Sequence, residues 1–219
     1  MLTLAIDTSG ADCAVHLARD GAALTQLRET LGRGHAERLA PMTQEALAQA
    51  GVKAPDIARI GVVTGPGSFA GIRVGVAFAR GLALALKAPA LGVSLFDLWA
   101  REYAAEPVLA AVHDSGRGEA AFRLYRKGDP AGAVMRLPYE AAAAAVREES
   151  AAPMLAGSAA QRIAEFLPGA RLAPDAPADL ALLARIAADA DPAAFPPAPL
   201  YVRPPDAKLP GGKTPGVGG

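Results

Sequence analysis

Asp7-Thr8-Ser9-Gly10 ends the first apolar run of the sequence, and its residue types suit a phosphate or a metal ion. An acid that closes a strand can orient metal-bound water, while hydroxyls and backbone N–H groups of the next turn meet phosphate oxygens. The same residues equally suit an Asx turn in which Asp7 only caps a hairpin, and the residues alone leave both readings open. A second stretch, Gly65 to Gly71 (GPGSFAG), carries Gly65, Gly67 and Ala70 at the spacing of a dinucleotide loop. That fingerprint belongs in a first strand–helix unit, with an acid ending the following strand. Here three strands and a helix precede it, and ALGV runs into Ser94-Leu95, so a tight strand-to-helix turn packed on a neighbouring backbone is the better reading. Ser68 has Pro66 where a nucleophile elbow needs glycine, and GGKT at 211–214 has Ala207 where a phosphate loop needs its first glycine. His16, His35 and His113 stand far apart, without metal-ligand spacing.

The elements that must position these residues follow from hydropathy and turn signals. TLAID, CAVHLA and AALTQL read as three strands, the last two joined at Asp20-Gly21, a two-residue hairpin signal. A helix from His35 to Ala50 stops at Gly51; IARIGVVTG is a strand, Gly71 to Leu86 a helix, ALGV a short strand and SLFDLWAREYA a third helix. The order then repeats. VLAAVHD, EAAFRLYR and GAVMRLP are strands, followed by a helix from Tyr139 to Glu149, the strand PMLAG, and helices from Ala160 to Phe166 and from Asp179 to Ala190. IDTSGADCAVHL can be laid over VHDSGRGEAAFRL with Asp7 on Asp114, which predicts a duplicated α/β fold of two lobes. The expected division is a lobe over 1–105, a smaller lobe over 106–203, and a tail over 204–219 too rich in glycine and proline to order.

Composition narrows the class. The chain has 219 residues, 22 basic and 22 acidic, so bulk charge does not hold it to nucleic acid or anionic lipid. Hydrophobic residues make up 52%, but 53 residues are alanine, so the core must come from a modest set of Leu, Val and Ile. The single cysteine, Cys13, forms no intrachain disulfide, and the start carries no basic stretch ahead of an apolar run; both fit a cytoplasmic protein. The most apolar segment, Val74 to Leu86, contains Arg80 and falls short of the roughly 18 residues that span a bilayer. Both long helices are apolar on more than one side. Leu39, Met42 and Ala46 form one stripe of the first and Ala36, Ala40 and Leu47 another; Pro41 is expected to kink it. Ile72, Val76 and Ala79 form one stripe of the second, and Gly71 and Gly75 open its surface to another helix. Such a surplus predicts an apolar face left over for a partner.

LAIDTS, HAERLAPM, TGPGSFAGIRVGVAFARGLA and ALGVS together resemble the TsaB (YeaZ) family, the partner subunit of bacterial tRNA threonylcarbamoyladenosine synthesis. In the second half the likeness thins to DSGRGE and to Pro199, Tyr201 and Arg203. Ala70 stands where the family usually has threonine, and Gly116 where an arginine is common, which weakens a charge-recognition role for that hairpin. The resemblance implies the actin-like ATPase (ASKHA, RNase H-like) fold and a sister relation to the transferase subunit TsaD. TsaD has a metal-binding H-x-x-x-H just after the strand matching ALGV, and those positions are Leu95 and Trp99 here, neither able to ligate a metal. Asp97 stands where the transferase has an acid, and His35 matches a histidine found in both subunits. The implied protein is a non-catalytic subunit with no catalytic or metal-binding residue of its own. It would bind TsaD through His35, Leu39, Met42, Ala46, Ile72, Gly75, Val76 and Ala79, with the ATPase TsaE as third partner, and pair with itself when alone. It would act at adenosine 37 of tRNA only through the complex, without a membrane, and ATP and Mg²⁺ would enter the same way. A weak nucleotide contact through Asp7, Thr8 and Ser9 is a further expectation. The alternative is an active ATPase or sugar-kinase-like phosphotransferase that uses Asp7 and Asp114 around Mg-ATP.

Overall fold

The computed structural model describes residues 1–203; the tail over 204–219, with its GGKT, lies outside the described residues. The first half runs β1 (Leu2–Asp7), β2 (Asp12–Arg19), β3 (Ala22–Thr30), α1 (His35–Gln49), β4 (Ile57–Val63), α2 (Phe69–Leu86), β5 (Ala90–Val93) and α3 (Leu95–Glu102). The second runs β6 (Leu109–Gly116), β7 (Glu119–Arg126), β8 (Asp129–Pro130), β9 (Met135–Pro138), α4 (Tyr139–Glu149), β10 (Met154–Ala156), α5 (Ala160–Ala164), β11 (Arg171–Leu172) and α6 (Leu180–Asp189). The strands form two sheets, ordered β3-β2-β1-β4-β5 and β11-β10-β6-β7, with β8 and β9 both pairing to β7. The halves correspond strand for strand. β1 is antiparallel to β2 and parallel to β4, as β6 is antiparallel to β7 and parallel to β10. The molecule is a duplicated, two-lobed α/β fold.

Local chemistry sets the element ends. Asp20 and Gly21 link β2 to β3 with φ of 51° and 81°, the left-handed pair that a two-residue hairpin turn needs. Ser68 accepts a hydrogen bond from the Gly71 amide and caps α2, so this helix begins at Phe69, ahead of the Gly71 start expected from periodicity. Ser94 caps α3 through the Asp97 amide, and Asp179 caps α6 through the amides of Ala181 and Leu182. With its two extra residues α2 reaches 18, and by length and composition alone it could cross a membrane. Its Ile72, Val76 and Ala79 stripe is instead part of the lobe's own core.

All six residues of β1 are buried because the strand is covered on both faces. Leu2, Leu4 and Ile6 pack with Leu39 and Met42 of α1 and with Ile72 and Val76 of α2. On the opposite face Ala5 meets Leu183 and Ala184 of α6. Gly61 of β4 permits that approach: a Cβ there would sit 3.0 Å from Ala187 and 3.1 Å from Leu183. α6 therefore leaves the half that encodes it. The segment 106–203, expected as one lobe, contributes its last helix to the first lobe, because the Leu180, Leu183 and Ala184 stripe covers the sheet face that α1 and α2 leave bare.

Candidate functional site

The turn after β1 is drawn tight against the start of α2. The Ser68 amide donates to the Ser9 carbonyl at 2.7 Å, and the Thr8 hydroxyl donates to the Gly71 carbonyl at 2.7 Å. A Cβ at Gly67 would overlap the Ser9 carbonyl oxygen, one at Gly71 would overlap that of Thr8, and one at Gly75 would come within 2.5 Å of the Thr8 hydroxyl. These glycines serve backbone packing, which is why their spacing imitates a dinucleotide loop. Asp7 is only 6% exposed; its Oδ1 accepts the Ser9 amide at 2.8 Å and the Ser9 hydroxyl at 2.7 Å. Burial pushes the Asp7 carboxyl up from the ordinary carboxylate range, with the Ser9 hydrogen bonds pulling against it.

A cleft of about 620 Å³ opens between the lobes at the carboxyl ends of the parallel strands. Asp7 and Ser9 reach its wall, but Thr8 does not, since its hydroxyl is spent on Gly71. The expected three-residue nucleotide contact is thus reduced to two, both already hydrogen-bonded to each other. Arg28 also lines the cleft, paired to Asp12 at 3.0 Å and donating to the Ala178 carbonyl at 3.1 Å. Opposite, the second lobe supplies a pair that sequence reasoning missed: Ser158 Oγ lies 3.2 Å from His113 Nδ1 and accepts the Asp114 amide at 2.9 Å. Burial lowers the His113 pKa, with the neighbouring Asp114 charge opposing. Only the register of β6 beside β10 brings Ser158 to His113, and no local motif signals it.

Asp114 repeats the Asp7 geometry. Its Oδ1 accepts the Gly116 amide at 2.7 Å, two residues on, as Asp7 accepts Ser9, and the Tyr139 hydroxyl adds a bond at 2.9 Å. Both are Asx turns. Leu95 and Trp99 line the cleft, and the Trp99 ring presses on Gly157, where a Cβ would stand 2.6 Å away. Asp97 is committed elsewhere: it accepts the Ser94 hydroxyl at 2.6 Å and the Tyr125 hydroxyl at 2.8 Å, with Arg123 at 3.3 Å. Among the described residues, no group of three or more His, Cys, Asp and Glu is placed to hold a metal ion.

The expected partner interface is corrected by burial. His35, Leu39, Met42, Ala46, Ile72, Gly75, Val76 and Ala79 are all buried within the chain itself. The Nε2 of His35 lies 3.1 Å from the Asp12 carbonyl oxygen, and the apolar side chains face the first sheet, those of α1 toward β2 and β3 and those of α2 toward β4 and β1. The richest stripe of each helix goes to the sheet because burying each large side chain is worth about 1.5–3 kcal/mol. What stays outside mixes small residues with charged ones, Glu37 and Glu45 on α1 and Arg73 and Arg80 on α2. Ala36, Ala40, Gln44 and Ala48 are exposed on α1, and Ala70, Ala77, Gly81 and Leu84 on α2, with Leu84 at 83%.

Known proteins resemble the chain in sequence and in fold. A family model described as "TsaD: tRNA N6-adenosine threonylcarbamoyltransferase" matches residues 28–164. The tRNA threonylcarbamoyladenosine biosynthesis protein TsaB of Escherichia coli is 38% identical over 133 residues, 59% of this chain. That match spans 57% of the relative, a little over half its length. A Pseudomonas aeruginosa structure described as similar to peptidase YeaZ superposes with a TM-score of 0.73 at 30% identity, covering 92% of this chain and 99% of that one. Component A of the (R)-2-hydroxyglutaryl-CoA dehydratase of Acidaminococcus fermentans, 12% identical with a TM-score of 0.51, shares the fold alone. With these neighbours, the duplicated lobes are those of the actin-like ATPase fold.

Proposed function

Because the chain belongs to the TsaB (YeaZ) family of tRNA threonylcarbamoyladenosine biosynthesis proteins, we propose that it works as the non-catalytic, cytoplasmic partner of a TsaD-type transferase. The observation that carries this reading is the occupancy of the cleft wall by Leu95 and Trp99, which by the resemblance stand at the two metal-ligand positions of the transferase. Neither side chain offers a metal a lone pair of suitable basicity. Asp7, the acid that a phosphotransferase would turn toward Mg²⁺, is buried and held by Ser9, which disfavours the ATPase or sugar-kinase alternative.

The docking surface in this reading is the outer side of α1 and α2, with Ala40, Ala77, Gly81 and Leu84 at its centre. Small residues let helix backbones approach closely, and Leu84 supplies the large apolar contact. The family model that matches this chain spans α1 and α2, which supports a comparable helix pair in a transferase of that family, and in this reading the two pairs would pack like on like about a pseudo-twofold axis. The same face would pair two copies of this chain when the transferase is absent. TsaE would join as third partner, and tRNA, ATP and Mg²⁺ would be engaged through the complex.

Depletion of the protein, followed by nucleoside analysis of bulk tRNA, tests the function: threonylcarbamoyladenosine should fall, and an unchanged level would overturn the proposal. Leu84→Asp tests the surface, with co-elution with the transferase expected to weaken by about tenfold or more.

A further inference from the structure

Residues 195–203 follow α6 and the turn after it and run between the lobes, with a tight turn at Pro197 in which the Ala198 amide donates to the Pro196 carbonyl at 2.8 Å. Their backbone is bonded to the first lobe at two places: the Gly92 amide donates to the Phe195 carbonyl at 2.9 Å, and the Leu200 amide to the Thr64 carbonyl at 2.8 Å. The side chains then alternate. Leu200 and Val202 pack into the cluster formed by Phe96, Leu109, Ala111 and Tyr125, which lies against the second sheet. Tyr201, between them, turns the other way onto α2. Its ring stacks on Phe69 with centroids 4.5 Å apart, and its hydroxyl accepts a hydrogen bond from Arg73 Nε at 2.8 Å. The Arg73 guanidinium in turn lies 3.8 Å from the centre of the Phe69 ring. Arg203 ends the segment by donating to the Ser115 carbonyl, on the second-lobe hairpin, at 3.3 Å.

The first lobe is shaped to receive this segment. A Cβ at Gly92 would stand 2.8 Å from the Pro196 carbonyl oxygen and from Pro197 Cα, and one at Gly65 would stand 3.0 Å from the Leu200 carbonyl oxygen. Pro196, Pro197 and Pro199 each fix one backbone angle and so lower the entropy lost on ordering the segment. We propose that residues 195–203 are an inter-lobe clasp that sets the angle between the lobes and the opening of the cleft. Leu200 and Val202 sit in the cluster against the second sheet while Tyr201, between them, is held on α2, so the lobes cannot part here without breaking one set of contacts. α3 ties the lobes as well, through Asp97 with Tyr125 and Arg123 and through Trp99 on Gly157, so the clasp is a second tie set apart from that one.

The test reads lobe separation directly. Spin labels at Ala23→Cys on β3 and Glu140→Cys on α4 report one inter-lobe distance, with Cys13 fully buried and unlabelled. A full chain should give one narrow distance distribution, and so should a chain ending at Arg203. A chain ending at Ala198 should give a broadened one. An unchanged distribution in the Ala198 chain with a native circular dichroism spectrum would overturn the clasp, as would broadening on removal of residues 204–219 alone. Tyr201→Ala provides a milder break if the shortened chain does not fold. Exchange of the Leu200 amide with solvent should rise about tenfold, and an unchanged rate would count equally against the clasp.

Discussion

The two aspartate turns began as one structure and now differ in what surrounds them. Asp7 and Asp114 each accept the amide two residues on, at 2.8 and 2.7 Å, and each follows the central strand of its sheet. The first is sealed under α2 by three glycines, whereas the second stays open to solvent beside Tyr139 and the His113–Ser158 pair. The length of the helix behind each turn accounts for the contrast. α2 has 18 residues and spans the whole sheet, while its counterpart α5 has five and cannot cover its turn. Duplication therefore preserved a backbone solution, and the packing helix decided which copy became structural.

Substitutions at the two turns should expose this asymmetry, most strongly at the glycines. Gly71→Ala forces a Cβ into the Thr8 carbonyl and should cost about 3 kcal/mol in urea unfolding. Gly118→Ala, in open space at φ of 79°, should cost about 1 kcal/mol. Equal costs would mean that the first turn is not packed as described. Next in size is the loss of each carboxylate. Asp7→Ala strands the buried Ser9 amide and should cost about 2 kcal/mol, whereas Asp114→Ala leaves its amide to water and should cost about 0.5 kcal/mol; thermal melts compare them.

The histidines extend the comparison to pH. Burial depresses the folded-state pKa of both His16 and His113. A histidine with a lowered folded pKa binds more protons unfolded, so its contribution to stability is complete above about pH 6.5 and is lost as pH falls through that value. His16 is the more sealed of the two; Gln26 on β3 and the charges of Asp179 and Arg185 on α6 surround it. His16→Gln should therefore flatten the loss of stability between pH 7 and 5 more than His113→Gln does, read from urea midpoints. Asp7 works in the opposite sense. Its raised folded pKa makes acid favour the native state, so Asp7→Asn should change the melting temperature less at low pH than at neutral pH. The smallest effect on stability belongs to Leu84→Asp, within about 0.5 kcal/mol because the side chain is in water. Leu39→Asp should unfold the lobe outright, so the two variants separate docking from folding.

Much of this arrangement was legible in the residues. Glu119–Arg126 and Tyr139–Glu149 form with the bounds read from hydropathy and turn signals, and the Asp20-Gly21 turn forms as its residues dictate. Duplication was visible because Asp7 and Asp114 each end an apolar run beside a Ser-Gly pair and precede a second strand. The face of α1 and α2 left for a partner was misread. Periodicity finds the stripe with the largest side chains, and that stripe is the one the lobe itself buries, so Leu39 and Val76 signalled core. Arg171–Leu172 is too short to carry a period, and the Ser158–His113 contact joins residues 45 apart. The return of α6 to the first lobe also left no local mark, since an apolar stripe does not name the sheet it covers.

That return has a consequence for synthesis on the ribosome. The side of the first sheet bearing Ala5, Ala14 and Val63 stays bare until Leu180–Asp189 has emerged, more than a hundred residues after the strands that carry it. Domains ordinarily mature from the amino end as they are translated. Here the first lobe must wait for α6, while the second can close around β6, β7 and α4 before it. Until α6 arrives, that side of the sheet is an apolar surface facing water.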